Sequence, residues 1–251
     1  MKKILVLGHK GMLGHMANNF LTQKEDCVVE TTDLRWPSGE FKRFLKVFSS
    51  QDNSFIINCI GAIPQRVNCF DINTDIPIWL EKNICESFGC RIVHPGTDCE
   101  SDNDEYGLSK RKSSDYIIKK GQITKIIKSS IIGPELGTKK SLLEWFLNCQ
   151  DKEIDGYSHY FWNGITTLQW ANICYDLIVN WDNYNILTIP ATECISKHDL
   201  LVKIKKIFNK KIKINKNMNV KANKCLVGNL RVPTIDNQLL MLKKQINENN
   251  Y

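Results

Sequence analysis

Short unbroken apolar runs alternate along this chain with stretches whose apolar residues recur every three or four positions. Lys3 to Leu7 is a branched apolar run and predicts a buried parallel strand. Gly11 to Leu21 then predicts a helix, with Leu13, Met16, Ala17 and Phe20 on one face. Cys27 to Thr31 predicts a second strand, Phe41, Leu45 and Phe48 mark a helix, and Ser54 to Asn58 predicts a third strand. Ile76, Leu80, Ile84 and Phe88 predict a helix over Ile76 to Phe88. Arg91 to His94 predicts a strand, Tyr106 to Lys119 a helix, and Ile123 to Ser129 a fifth strand. Strand and helix alternating at this cadence predict right-handed βαβ units and a parallel sheet covered on both faces.

After Gly133-Pro134 the pattern loosens. Helices are expected over Ser141 to Cys149 and Trp170 to Val179, and a strand over Ile186 to Ile189. Ser196 reads as the N-cap of a helix over Leu200 to Phe208. The aromatic, glycine-rich stretch Gly156 to Gly164 is expected to be loop, and the polar end Asn247 to Tyr251 to fray. The chain divides into a nucleotide-binding domain over 1–135 and a mixed region over 136–251 that completes the sheet and forms a substrate-binding annex.

Three short motifs carry chemistry. Gly8-His9-Lys10-Gly11-Met12-Leu13-Gly14 joins the first strand to the first helix. One glycine admits the tight turn, a second lets backbone N–H groups approach a pyrophosphate at the positive end of the helix, and a third lets helix and strand pack closely. A glycine triple alone is a weak signal; its place between strand and helix makes it stronger. At the end of the second strand, Asp33 is placed to accept hydrogen bonds from an adenosine ribose, and Arg35 fits either a 2′-phosphate contact or a solvated surface position. Having both leaves NAD(H) against NADP(H) open. In Tyr106-Gly107-Leu108-Ser109-Lys110, positions i and i+4 share a helix face. The lysine is expected to lower the phenol's pKa, and the phenol to give a proton to a carbonyl oxygen. Thr97 and Asp98 follow the fourth strand, at the carboxyl edge where functional groups gather. Thr97 is placed to donate a second hydrogen bond to that carbonyl.

The order of these motifs, with Asn58-Cys59-Ile60-Gly61-Ala62 after the third strand, resembles the extended short-chain dehydrogenases, and within them the dTDP-4-dehydrorhamnose reductase family. The resemblance covers residues 1–135 clearly and is faint afterwards. It implies a Rossmann-type α/β fold with a small C-terminal substrate-binding annex. It implies a catalytic set of Thr97, Tyr106 and Lys110, and NADP(H) or NAD(H) held by Gly8, Gly11, Met12, Leu13, Gly14, Asp33, Leu34, Ile60, Gly61, Ala62, Tyr106 and Lys110. Thr97, Asp98, Trp162 and Asn163 fall where that family's substrate pocket lies. The expected reaction is reduction of a keto group on a nucleoside-diphosphate 6-deoxy sugar. The chain departs from the family between its threonine and tyrosine, where Cys99 to Glu105 is short and acidic. The pocket rim therefore differs, and the substrate need not be the rhamnose precursor. Rival readings are a sugar-nucleotide epimerase or dehydratase with bound NAD, with Asp98 as its acid, and a non-catalytic Rossmann regulatory subunit.

Composition adds limits. The 251 residues are 42% hydrophobic and 24% charged, as in an ordinary globular chain. The longest apolar stretch, Phe55 to Pro64, is interrupted by Asn58 and is far short of the ~20 residues of a membrane helix. The run after Lys2 and Lys3 is too short for a signal peptide, so a cytoplasmic protein without membrane partner is expected, with a homodimer open. Ten cysteines without a Cys-x-x-Cys pair are expected to be reduced thiols, with no metal site. Residues 200–235 hold nine lysines, Arg231 and no acid, and residues 236–251 sum to zero, so the first 199 residues net −3 of the total +7. This local basic stretch reads as a lure for a polyanion or as a solvated face. Specific nucleic-acid binding is not expected, because aromatic residues hardly interleave the lysines.

Overall fold

A computed structural model describes residues 1–121 and 123–248. In chain order the first elements are β1 (Lys2–Leu7), α1 (Met12–Thr22), β2 (Cys27–Thr31), α2 (Gly39–Ser49), β3 (Ser54–Asn58), α3 (Ile72–Leu80), α4 (Glu86–Phe88), β4 (Arg91–Gly96), α5 (Glu105–Lys120) and β5 (Thr124–Lys128). There follow β6 (Ile131–Ile132), α6 (Leu142–Asn148), β7 (Glu153–Trp162), β8 (Ile165–Thr166), α7 (Thr167–Val179), β9 (Leu187–Thr188), β10 (Pro190–Ala191) and β11 (Ile195–Ser196). The last are α8 (Lys197–Phe208), β12 (Lys213–Asn223), β13 (Leu230–Arg231) and α9 (Ile235–Glu248). Among the described residues no helix is long and apolar enough to cross a membrane.

Two compact units result. The first comprises Met1–Lys128 and Ala171–Thr188, the second Ser129–Trp170 and Ile189–Tyr251. The first unit thus gives up residues 129–135 of the expected domain and takes in a later segment. That segment brings β9, the sixth strand of its sheet.

The first unit is a parallel sheet of order β2-β1-β3-β4-β5-β9. Every residue of β3 is buried, as the apolar run predicts. Leu5, Leu7 and Ile56 pack with Phe41, Leu45 and Phe48 of α2 and with Ile76 and Leu80 of α3. Each such side chain contributes roughly 1.5–3 kcal/mol when fully buried. The helix expected over Ile76 to Phe88 begins earlier, at Ile72, and passes through a π-turn at Glu81–Cys85 before α4. The chain leaves β1 toward β2 on one side and returns through α2 to β3 on the other. The carboxyl ends of β1 and β3 therefore flank a topological switch point, where a crevice opens in sheets of this kind.

The second unit holds the three-stranded sheet β11-β7-β12, with α8 packed on it. Here the sequence expectation fails: Gly156 to Gly164 is mostly strand β7 rather than loop. The glycine that suggested a loop is there for packing. A Cβ on Gly156 would fall 2.9 Å from the His198 α-carbon and 3.0 Å from Ile214. The lysine-rich stretch likewise contains β12, paired in parallel with β7. Residues 249–251 of the expected frayed end lie outside the described residues; Asn247 and Glu248 belong to α9.

The cysteine expectation also needs correcting. Cys194, just before β11, is disulfide-bonded to Cys225, just after β12, while the other eight cysteines are not in a disulfide. Both strands pair with β7, which brings their ends together across a sequence separation of 31 residues. Denatured without reductant, the protein should show eight reactive thiols, rising to ten after reduction. Cys194→Ser should lower stability to urea by about 3–4 kcal/mol, the loop-closure entropy of such a link. Ten thiols without reductant in protein purified under air would remove the assignment.

Candidate active site

The carboxyl edge of the first unit's sheet is built by close backbone contacts. Gly8 ends β1 with φ +73°, a left-handed conformation suited to glycine, and its Cβ would lie 2.8 Å from the Cys59 carbonyl group. Gly14, in the first turn of α1, passes so close to the loop that a Cβ would sit 2.1 Å from the Gly8 carbonyl oxygen. Gly11 differs: its Cβ would meet only the Gly8 oxygen, at 3.3 Å, so a side chain there would enter space no other protein atom fills. The Gly11 amide donates to the Gly8 carbonyl at 2.9 Å, and His15 Nδ1 lies 2.9 Å from the Gly11 carbonyl. No side chain caps the N-terminus of α1 and no acid stands in its first turn. Met12 is half-buried and Leu13 buried beside it. A helix start with uncapped N–H groups and a bare α-carbon beside it is a cradle that fits an anionic phosphate group.

Across the switch point lies the segment after β3. Ile60 packs against the sheet core, and its amide donates to Asn58 Oδ1 at 3.3 Å. Asn73 of α3 grips Ala62 at both its amide and its carbonyl, at 2.8 and 3.0 Å, and reaches Ser109 Oγ at 3.2 Å. Gly61, exposed, lies under the same Asn73 side chain. At the end of β2, Asp33 is exposed and paired with Lys10 at 2.6 Å, with His9 3.7 Å away. These neighbours, Lys10 first, hold its carboxyl below the usual carboxylate range. Leu34 is half-buried against the core rather than displayed.

Thr97, Tyr106 and Lys110 all belong to this unit, Thr97 at the end of β4 and the other two on α5. Thr97 leaves β4 and caps the 3₁₀ turn Asp98–Ser101, its Oγ1 accepting from the Cys99 amide at 3.3 Å and donating to Asp98 Oδ1 at 3.0 Å. Tyr106 hydrogen-bonds Thr97 through its side chain, and its ring packs edge-on against Phe70 with centroids 5.7 Å apart. Gly107 permits this approach: a Cβ there would fall 2.3 Å from the Cys99 carbonyl oxygen. Asp104 caps α5 by accepting from the Gly107 amide at 2.6 Å. Sequence reading passed over Gly107 and Glu100, although the glycine stands inside the tyrosine motif.

Lys110 is 7% exposed, and its Nζ donates to the Pro95 carbonyl at 2.8 Å. Burial lowers its pKa to about 8, against the opposing pull of Glu100 and then Cys59. The expected lowering of the tyrosine pKa is not what the structure gives. Burial, then Cys99, Asp98 and Glu100, push the Tyr106 phenol up, and only the Thr97 hydrogen bond acts the other way. The lysine faces Pro95, so its charge is not spent on the phenol. A phenol that keeps its proton at neutral pH is suited to be a proton donor.

Trp162 and Asn163 lie in the second unit and serve its own structure. Asn163 makes both its amide bonds to the Leu226 backbone, at 2.8 and 2.9 Å, and Trp162 is 2% exposed. Among the described residues no cluster of three or more His, Cys, Asp or Glu could hold a metal ion.

No family model matches the sequence, and no curated protein matches it. Solved structures do. A dTDP-4-dehydrorhamnose reductase from Clostridium acetobutylicum is 17% identical, with TM-score 0.73 over 98% of this chain and 99% of that one. The enzyme of that name from Bacillus anthracis, in complex with NADP, is 14% identical, with TM-score 0.77 over 98% and 99%. A dTDP-glucose 4,6-dehydratase from Bacillus anthracis, in complex with NAD, is 13% identical, with TM-score 0.76 over 100% and 98%. The likeness shows the fold, a Rossmann-type sheet shared with these solved structures.

Burying the Lys110 ammonium disfavours folding of its charged form. That penalty is full below pH 8 and is relieved as pH rises from about 8 toward the ordinary lysine value of 10.5. Lys110→Met should therefore raise stability at pH 7 by about 2 kcal/mol, some 3 from desolvation less about 1 for the lost bond to Pro95. The gain should shrink above pH 8. Chemical denaturation of both proteins across pH 6–10 checks this; a variant less stable at pH 7 would refute it.

Proposed function

We propose that this protein is a nicotinamide-dependent reductase of a keto group on a nucleoside-diphosphate sugar. The observation that carries the reading is that Thr97, Tyr106 and Lys110 belong to the unit whose glycine loop presents an uncapped helix start at the switch point. Solved structures like it in fold include reductases of such sugars, one of them in complex with NADP.

Gly8, Gly11 and Gly14 with the N–H groups of Met12 and Leu13 would hold the cofactor's pyrophosphate. Ile60, Gly61 and Ala62 would lie along its other side. Asp33 offers an acceptor for ribose hydroxyls, while Lys10 and Arg35 beside it offer charge for a 2′-phosphate, so NAD(H) and NADP(H) both suit the chemistry. When bound, the cofactor supplies the reducing equivalent to the carbonyl carbon. Tyr106 gives its phenolic proton to the carbonyl oxygen, and Thr97 Oγ1 donates a second hydrogen bond to that oxygen after turning from Asp98. Lys110, whose ammonium is turned to the Pro95 carbonyl, would hold the nicotinamide ribose.

A sugar-nucleotide dehydratase reading has one observation in its favour: the Asp98 carboxylate lies 3.0 Å from Thr97 Oγ1, so an acid is present at the site. The two readings differ in stoichiometry. A reductase oxidises one NAD(P)H per sugar, whereas a dehydratase releases water with no net change in cofactor.

Tyr106→Phe should lower turnover by ~10²–10⁴-fold on a keto-sugar nucleotide while leaving cofactor affinity nearly unchanged. Thr97→Val should be milder, since the phenol still supplies the proton. NAD(P)H oxidation with a panel of keto-sugar nucleotides, generated in place by a 4,6-dehydratase, measures both. Full activity in Tyr106→Phe would end the mechanism, and no cofactor oxidation by the wild type with any sugar would end the reading.

Gly11→Leu should abolish cofactor binding in a folded protein, because the side chain would occupy the cradle. Calorimetry with NADPH and NADH, beside a circular dichroism spectrum, tests this. Wild-type affinity in a folded variant would remove the glycine loop from the binding site.

A further inference from the structure

We infer that Glu100 is the positioning residue of this site: its carboxylate holds Thr97 by the backbone and supplies the counter-charge for the buried Lys110 ammonium. The assignment rests on the catalytic reading of Thr97 and Lys110 given above.

Glu100 is 4% exposed, an unusual place for a carboxylate unless it is paired. Its oxygens are fully engaged. Oε1 accepts from the Thr97 amide at 2.9 Å and from Ser114 Oγ at 3.0 Å, and Oε2 pairs with Lys128 Nζ at 2.8 Å. One side chain thus ties together the end of β4, the middle of α5 and the end of β5. Room for it is made by a missing side chain. A Cβ on Gly96 would lie 2.9 Å from Glu100 Oε1 and 2.9 Å from the Lys128 Cβ, so any larger residue would expel the carboxylate or split β4 from β5.

Two sets of bonds bring Glu100 and Lys110 to the same place. Ser114, which donates to Glu100 Oε1, stands one turn after Lys110 on α5. Lys110 Nζ donates to the Pro95 carbonyl, two residues before the Thr97 amide that donates to Oε1. Cys59 approaches from the end of β3, His94 from β4, Glu100 from the 3₁₀ turn, and Tyr106 stands one turn earlier on its own helix. Desolvation drives the ammonium toward its neutral form, and Glu100 is the largest influence opposing that. The effect of Cys59 is smaller, and its thiol is itself pushed up to about 12 by burial. His94 is held neutral by burial and by the nearby ammonium. Lys128, paired to Oε2, offsets part of the carboxylate's charge. Removing the charge of Glu100 while keeping its shape should leave Lys110 in place but easier to deprotonate.

The test is Glu100→Gln, which keeps an oxygen for the Thr97 amide and removes the charge. Protein labelled with ¹³C at lysine Cε, with the Lys110 signal assigned from Lys110→Met, reports its titration directly without cofactor or substrate. The Lys110 midpoint should fall by about one pH unit in Glu100→Gln, the usual effect of losing one close opposite charge. The alkaline limb of the turnover profile should move by the same amount. Ser114→Ala, which removes a hydrogen bond to Glu100 but no charge, should leave the midpoint where it is. Glu100→Asp, which withdraws the charge by one methylene, should fall between Gln and wild type, and it carries the test if Glu100→Gln does not fold. An unshifted midpoint in the folded charge variant, or an equal shift in Ser114→Ala, overturns the inference. A shifted midpoint in a wild type that reduces no keto-sugar nucleotide would leave the counter-charge standing and sink only the catalytic reading.

Discussion

Backbone lies on backbone where β1 ends. Gly8 presses on the Cys59–Ile60 peptide and Gly14 presses on Gly8, with no room for a Cβ at either position. That double contact fixes three things at once: where β1 stops, where α1 starts and how near the segment after β3 may come. Because α1 begins within a few residues of the strand, its N-terminus opens onto the gap between β1 and β3. The sheet order makes that gap a crevice, since the connections leave β1 and β3 in opposite directions. A side chain at Gly8 or Gly14 would push the helix away and misdirect its uncapped N–H groups.

The same device recurs at the other half of the site. Gly107 lets α5 settle on the 3₁₀ turn, and Gly96 leaves space for a buried carboxylate between β4 and β5. The polar groups so enclosed are expensive to bury. Lys110 is held in a form that desolvation opposes, and Tyr106 is held protonated by burial and by nearby acids. Their tolerability comes from ordered partners: the Pro95 carbonyl for the ammonium, Thr97 for the phenol, and Lys128 and Ser114 for Glu100. Local instability at a preorganised site is the expected companion of such an arrangement.

The first unit was legible because its strands carry short apolar runs and are separated by helices with a clear face. β2 and β3 coincide with the expected ranges, and β1, β4, α5 and β5 differ only at their ends. In the second unit α6 and the Ser196 cap of α8 fall where expected, but the sheet was not legible, because its main strands are half exposed. β7 buries few of its ten residues and β12 is lysine- and asparagine-rich, so neither carries the apolar run that announces a covered strand. The Cys194–Cys225 pair depends on where those two strands end, which no spacing in the sequence reveals. In the site, helix periodicity put Tyr106 and Lys110 on one face, but it could not show that the ammonium turns to Pro95. Trp162 was visible as an aromatic beside glycines, yet its burial answers to packing within its own unit.

Thr97 does two jobs with one hydroxyl. It caps the turn that follows β4, and it hydrogen-bonds the phenol of Tyr106. Selection for a well-made fold and selection for chemistry therefore act on the same atom, and intolerance to change at this position would look alike under either pressure. An ancestor that kept the threonine only to end a strand would already have carried a hydroxyl beside a tyrosine. In that sense the turn is a route by which catalysis can enter a scaffold without a new residue having to appear.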